Sequence, residues 1–195
     1  MFLTEPLTNT FKFKGKEIKL DLSFDIILDI QSLFKEEIED YEKINIAIEM
    51  LVVNNKKLHL SNQEKIELFK HIQENFININ KKKVKKEEKK ILDFEADGEY
   101  IYSSFFMDYG IDLLEMQGKL DWRKFIALFQ GLSEKTKIKE VMKIRAMKVP
   151  TPNKDNQEYI KNLMELKAFY SLDMPNNLQE GLSQLFDTLE KACER

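Results

Sequence analysis

The side chains able to do chemistry are few, and their spacing does not assemble a site. The two histidines, His59 and His71, stand 12 residues apart. That is no metal-ligand spacing such as H-x-x-x-H, and no C-x-x-C pair accompanies them. Both read as ordinary helix or loop residues. The single cysteine, Cys193, sits among Lys191, Glu194 and Arg195 on a segment expected to fray. A nucleophilic thiolate needs a fixed base beside it, so Cys193 reads as inert packing. The stretch Asp93-Phe94-Glu95-Ala96-Asp97-Gly98-Glu99-Tyr100 imitates the first half of an EF-hand loop. Calcium requires a bidentate carboxylate at the twelfth position, and that residue is Ser104. Asp97 and Glu99 read instead as negative charge at a helix N-terminus, where unpaired amides and the macrodipole favour it. Neither G-x-x-x-x-G-K-[ST] nor G-x-G-x-x-G occurs, so there is no phosphate cradle. No enzyme activity, cofactor or metal is expected.

A chain of 195 residues suffices for one core or two closely packed halves. Hydrophobic residues at 43% and charged residues at 33% predict a chain that mostly folds. Only 6 Gly and 4 Pro leave too few turn formers for a short-stranded β sandwich, so helices are expected. A net charge of −3 provides no basic field to hold a phosphate backbone, and nucleic acid is disfavoured as a partner. One cysteine fits a reducing cytosol. The opening Met1-Phe2-Leu3-Thr4-Glu5-Pro6 has no basic region followed by an apolar run, and no apolar stretch approaches the ~18 residues of a membrane span. The protein is expected to stay where it is made, away from membranes.

The expected fold is mainly α, a multi-helix bundle with a short N-terminal β-hairpin. Thr10-Phe11-Lys12-Phe13 and Lys16-Glu17-Ile18-Lys19-Leu20 alternate with period two around Lys14-Gly15, which predicts the hairpin. Ser23 is placed to cap a helix bearing Ile26, Ile27, Ile30 and Phe34. A second helix from about Tyr41 carries Ile44, Ile48 and Leu51. Ser61-Asn62-Gln63-Glu64 is a capping box opening a helix with Ile66, Phe69, Ile72, Phe76 and Ile79. Residues 81–90, Lys-Lys-Lys-Val-Lys-Lys-Glu-Glu-Lys-Lys, can bury almost nothing and predict an exposed linker or loop between 1–80 and 91–195. The run lacks the interleaved aromatics of a base-stacking surface.

Beyond it, Asp97 starts a helix through Tyr100, Ile101, Phe105 and Tyr109, with Gly110 as its left-handed stop. Asp121 caps the next, bearing Trp122, Phe125, Ile126, Phe129 and Leu132. Ser133 or Thr136 begins a third, with Ile138, Val141 and Met142. Val149-Pro150-Thr151-Pro152 ends it, since proline lacks the amide donor. A helix over roughly 155–170 carries Ile160, Leu163 and Met164. A last one from about Pro175 carries Leu178, Leu182, Leu185, Phe186 and Leu189, the cleanest stripe in the chain. Each stripe stops at a cap or proline, so no coiled-coil rod is expected.

Residues 93–145 combine Asp93-Phe94-Glu95-Ala96-Asp97, Tyr100-Ile101-Tyr102-Ser103-Ser104-Phe105, Tyr109-Gly110-Ile111-Asp112-Leu113, Leu120-Asp121-Trp122, Phe125, Leu128, Gly131-Leu132 and Ile144-Arg145. This resembles the bacteriophage family named after gene product fifteen, found in siphophages and prophages of Gram-positive bacteria. Where that family usually places histidine before the tryptophan, this chain has Asp121-Trp122-Arg123. The resemblance implies a non-enzymatic tail-assembly chaperone that keeps the long, helical tape-measure protein soluble in the host cytoplasm until the tail tube polymerises. A helix-rich surface can receive another helix by apolar anchors without any cofactor. Tyr109, Asp112, Trp122, Phe125 and Arg145 are the candidates for partner binding or core. Other tail proteins, or a second copy of the chain, are further candidate partners. Two other readings remain open: a minor tail protein retained in the virion, and a small regulator binding nucleic acid through Lys81–Lys90.

Overall fold

The computed structural model describes residues 4–53, 58–78 and 90–172. The expected helix from Pro175, Cys193, and the lysine run other than Lys90 lie outside the described residues. The chain is mainly α, with seven α-helices and one two-stranded antiparallel sheet among the described residues.

The hairpin pairs β1 (Thr10–Phe13) with β2 (Lys16–Lys19), Phe13 facing Lys16 across a two-residue turn. Lys14 and Gly15 both take left-handed backbone, φ 48° and 79°. Such turns match the right-handed twist of the strands, which is why a glycine stands there. Ile18 is buried, while Phe11 stacks on His71 at 5.0 Å and contacts Phe76 at 5.1 Å.

Helix α1 (Phe24–Leu33) begins after Ser23, but the Ser23 hydroxyl does not cap it. It donates to Asp21 Oδ1 at 2.8 Å, and the first helical amide, that of Phe24, is satisfied by the Leu120 carbonyl at 2.9 Å. A carboxylate two residues upstream outcompetes the helix for the hydroxyl. Helix α2 (Asp40–Leu51) buries Ala47, Ile48 and Leu51. Helix α3 (Asn62–Ile72) opens with the complete capping box of Ser61 and Glu64 and buries Leu68, Phe69 and Ile72, leaving Ile66 at the rim. The expected continuation through Phe76 is not α-helical, and Ile79 lies outside the described residues. Gln73–Ile77 forms a π-helical turn closed by the Asn78 amide on the Gln73 carbonyl at 2.8 Å.

Helix α4 (Gly98–Tyr109) ends at Gly110, which has φ 64°, as the sequence predicts. Helix α5 (Trp122–Gly131) is capped by Asp121, whose carboxylate accepts the Arg123 amide. Helix α6 (Lys137–Ala146) follows Thr136 and stops before Pro150, and α7 (Gln157–Phe169) buries Ile160 and Leu163. Met164, expected in the same stripe, is more than half exposed. Its stripe is wider than the face α7 buries.

By contacts, Met1–Lys86 groups with Phe105–Leu132, and Glu87–Ser104 groups with Ser133–Arg195. The reading of 1–80, 81–90 and 91–195 follows composition along the chain. The contact grouping follows packing, and it assigns the two parts of α4 to different units.

Candidate functional site

In the first unit, Phe125 is the centre of an aromatic cluster. Its ring lies nearly parallel to Phe24 at 5.0 Å, Phe105 at 5.1 Å and Trp122 at 5.6 Å, with Phe129 at 6.4 Å. Phe125 and Trp122 are buried. Buried indole needs an acceptor for its N–H. Trp122 donates to the Ile77 carbonyl at 3.3 Å, one of the groups left without an intrahelical partner where the π turn ends.

The residues flanking Trp122 position that ring. Asp121 accepts from the Arg123 amide at 2.9 Å, from its Nε at 2.9 Å and from its Nη2 at 2.7 Å. Arg123 also donates to the Thr8 carbonyl at 3.2 Å and to the Asn9 side chain. Burial pushes the Asp121 carboxyl upward, but the Arg123 side-chain and amide donors outweigh it and hold the group below the usual carboxylate range. The Trp122 amide donates to the Leu22 carbonyl at 2.7 Å. Asp121-Trp122-Arg123 thus caps α5, orients the indole and pins the N-terminal segment.

The other first-unit candidates serve local structure. The Tyr109 hydroxyl donates to the Leu128 carbonyl at 2.9 Å, and its ring meets Phe105 edge-on. Asp112 Oδ1 accepts from the Leu114 amide at 2.9 Å and the Glu115 amide at 3.4 Å, fixing the turn after α4. An open cavity of about 290 Å³ lies beside Asp21, Ser23 and Asp121. Asp21 there binds Ser23 and Asp121 binds Arg123, so the cavity presents no acid–base pair ready for proton transfer.

The second unit is held by a polar hub. Arg145 on α6 forms two parallel bonds to Asp97, Nη1 to Oδ2 at 2.7 Å and Nη2 to Oδ1 at 2.8 Å. Its Nη1 also reaches the Ile91 carbonyl at 3.1 Å, and its Nε donates to the Tyr170 carbonyl. Asp97 is fully buried and additionally accepts the Asp93 amide at 3.0 Å. Asp97 stands directly before α4, where negative charge at a helix N-terminus is expected, and its buried carboxylate is also paired with the Arg145 guanidinium, which the sequence pattern does not predict. Lys167 directs its ammonium at the carbonyls of Ile144, Arg145 and Met147, at 2.9, 2.7 and 2.6 Å. Three donors thus meet carbonyls at the C-terminal end of α6, of which that of Ile144 also accepts the Met147 amide at 3.3 Å. Ser104 accepts from the Ile138 amide at 3.2 Å and donates to the Tyr100 carbonyl at 2.6 Å, capping α6 from another helix. The Lys137 ammonium donates to the Tyr170 hydroxyl at 2.8 Å, and that bond, joined by Glu140, raises its pKa.

Sequence reasoning singles out Arg145 without pairing it with Asp97, reads Ser104 only as a missing calcium ligand and a residue of the family-like stretch, and misses Lys167 and Tyr170. Asp97 and Arg145 are 48 residues apart, so no periodicity joins them. Among the described residues no three His, Cys, Asp or Glu side chains are grouped to hold a metal, and no helix is long and apolar enough to cross a membrane. No described buried side-chain nitrogen or oxygen lacks a hydrogen-bond partner.

The sequence matches the family described as Bacteriophage Gp15 protein over residues 3–172. The chain belongs to that family. No curated protein and no solved structure matches it. The match spans both contact units of this Gp15-family chain, so the aromatic cluster and the Arg145 hub both lie within the family region. Trp122 and Phe125 are core of the first unit, Tyr109 and Asp112 border it, and Arg145 belongs to the second. Four of the five candidates thus lie in the first unit and one in the second.

Proposed function

We propose that this Gp15-family protein is a tail-assembly chaperone that binds the phage tape-measure protein and keeps it soluble before the tail tube forms. The observation that supports this reading lies inside the stretch 93–145. The residues there that fix the core, Phe105, Trp122 and Phe125, are buried, while Phe106, Met107 and Leu114 are 55%, 60% and 66% exposed. Large apolar side chains held out of the core on a rigid helix end and an Asx-anchored turn are suited to burial against an apolar helix. Binding of this kind needs no cofactor and operates in the cytoplasm of the infected or lysogenic host.

Co-expression of the tape-measure protein with the chain tests the reading. Tape-measure solubility should rise with the wild-type chain and return to its unaided level with Met107→Asp plus Leu114→Asp, while the variant itself melts as the wild type does. Equal tape-measure solubility with and without the wild-type chain would reject the proposal. Stoichiometric presence of the chain in purified virions would favour a retained minor tail protein instead.

A further inference from the structure

The exposed apolar side chains of the first unit stand in an acidic stretch. From Phe105 to Gly118, the end of α4 and the turn after it, the chain has Asp108, Asp112 and Glu115 and no lysine or arginine. A further carboxylate comes from α1, where Asp25 Oδ1 accepts the Gly118 amide at 3.0 Å. Lys119 closes the stretch, its ammonium on the Glu115 carbonyl at 2.8 Å. Four carboxylates therefore accompany one lysine along the segment that holds Phe106, Met107 and Leu114 out of the core. We propose that this surface admits an amphipathic helix whose apolar stripe is bordered by lysine or arginine, and disfavours the same stripe bordered by acids. The inference rests on the tape-measure reading and names the chemistry of the segment bound.

Charge complementarity selects this occupant. Charges at the rim of a contact add little to its strength, but they decide which partner is admitted, because like charges brought together are penalised. Phe106, Met107 and Leu114 supply the burial that holds an apolar helix. The carboxylates of the same segment then separate basic-flanked helices from acidic-flanked ones. A second copy of this chain fits poorly, since a two-fold contact sets one patch against itself and would bring the acidic stretch against its own like.

Titration of the full-length chain with two synthetic helical peptides tests the proposal. The peptides share one leucine stripe and carry either lysine or glutamate at every bordering position. At ~0.02 M salt the lysine peptide should bind at least roughly tenfold more tightly, and at ~0.5 M salt the preference should fall below about threefold. Asp25→Asn with Glu115→Lys should narrow the low-salt preference to below about threefold as well. Asparagine keeps an acceptor for the Gly118 amide, and Glu115 bonds within the turn through its backbone, so this variant should melt as the wild type does. Equal affinity of the wild-type chain for the two peptides, tighter binding of the glutamate peptide, or an undiminished preference in the variant would overturn the proposal and leave the tape-measure reading standing. Self-association of the chain that Met107→Asp with Leu114→Asp abolishes would assign the surface to a second copy and overturn it too. Binding of neither peptide would overturn the proposal, whereas the tape-measure reading fails separately, on unchanged tape-measure solubility.

Discussion

The two contact units of this phage protein are held together by different physics. In the first, four aromatic rings gather around Phe125, and Asp121 and Arg123 act as a cap and a pin. In the second, Val141, Ile144 and Tyr170, with Tyr100 packed beside them, make a small apolar centre. There the long-range ties are charged: Arg145 to Asp97, and Lys167 to three carbonyls. An aromatic cluster stabilises through area removed from water, and its loss scales with the volume deleted. A buried ion pair adds less net stability, because desolvation offsets much of the attraction, but it is costly to break from one side. The first unit should therefore tolerate conservative changes of shape, and the second should punish any change that strands a charge.

The largest expected effect is in the aromatic cluster. Phe125→Ala should destabilise the chain by about 3–5 kcal/mol, read from the denaturant midpoint. A loss below about 1 kcal/mol would mean that the cluster is not the main support of its unit. Nearly as large should be Asp97→Ala, which leaves Arg145 buried without its counter-charge and should cost about 3 kcal/mol. The sharper comparison is the double variant Asp97→Leu with Arg145→Met, whose cost should be smaller than that of Asp97→Ala alone. A cost equal to the sum of the two single changes would show that the pair acts as independent contacts. Next, Lys167→Met removes the donor to three carbonyls while preserving most of the stem. It should cost about 1–2 kcal/mol, since these bonds are only part-buried. Unaltered stability would show that water replaces the ammonium.

The smallest effect concerns pH. Asp121 has its folded-state pKa lowered by Arg123, so its contribution is fully present above the unfolded carboxylate value and is lost as pH falls through the folded pKa. Stability measured below pH ~4 should therefore decline less steeply in Asp121→Asn than in wild type. Parallel acid profiles for the two proteins would remove Asp121 from the first unit's supports.

The same contrast explains how much could be read from the residues. Capping boxes, turn glycines and period-two or 3.6-residue stripes are local, so the hairpin, the Ser61 cap, the Asp121 cap and the Gly110 stop are legible in the sequence. Burial of Trp122 and Phe125 is also legible, because aromatics at helical spacing need a core. Local competition was harder to see. Ser23 serves Asp21 rather than its helix, and α3 widens into a π turn where an unbroken helix was expected. Long-range polar pairing was invisible. Ser104 looked like a missing calcium ligand, yet it caps α6. Asp97 looked like helix-terminal charge, yet it neutralises Arg145. Nothing in a hydrophobic pattern reports which carboxylate a distant guanidinium will meet.

Calorimetric titration of the purified chain with a soluble tape-measure segment tests the central claim, that this protein works by burying apolar surface on a partner. The account predicts binding with a negative heat-capacity change and an affinity that varies by less than roughly threefold between ~0.1 M and ~0.5 M salt. It also predicts loss of that binding in Met107→Asp with Leu114→Asp. Affinity falling by orders of magnitude over the same salt range, or undiminished binding by the double variant, would contradict it.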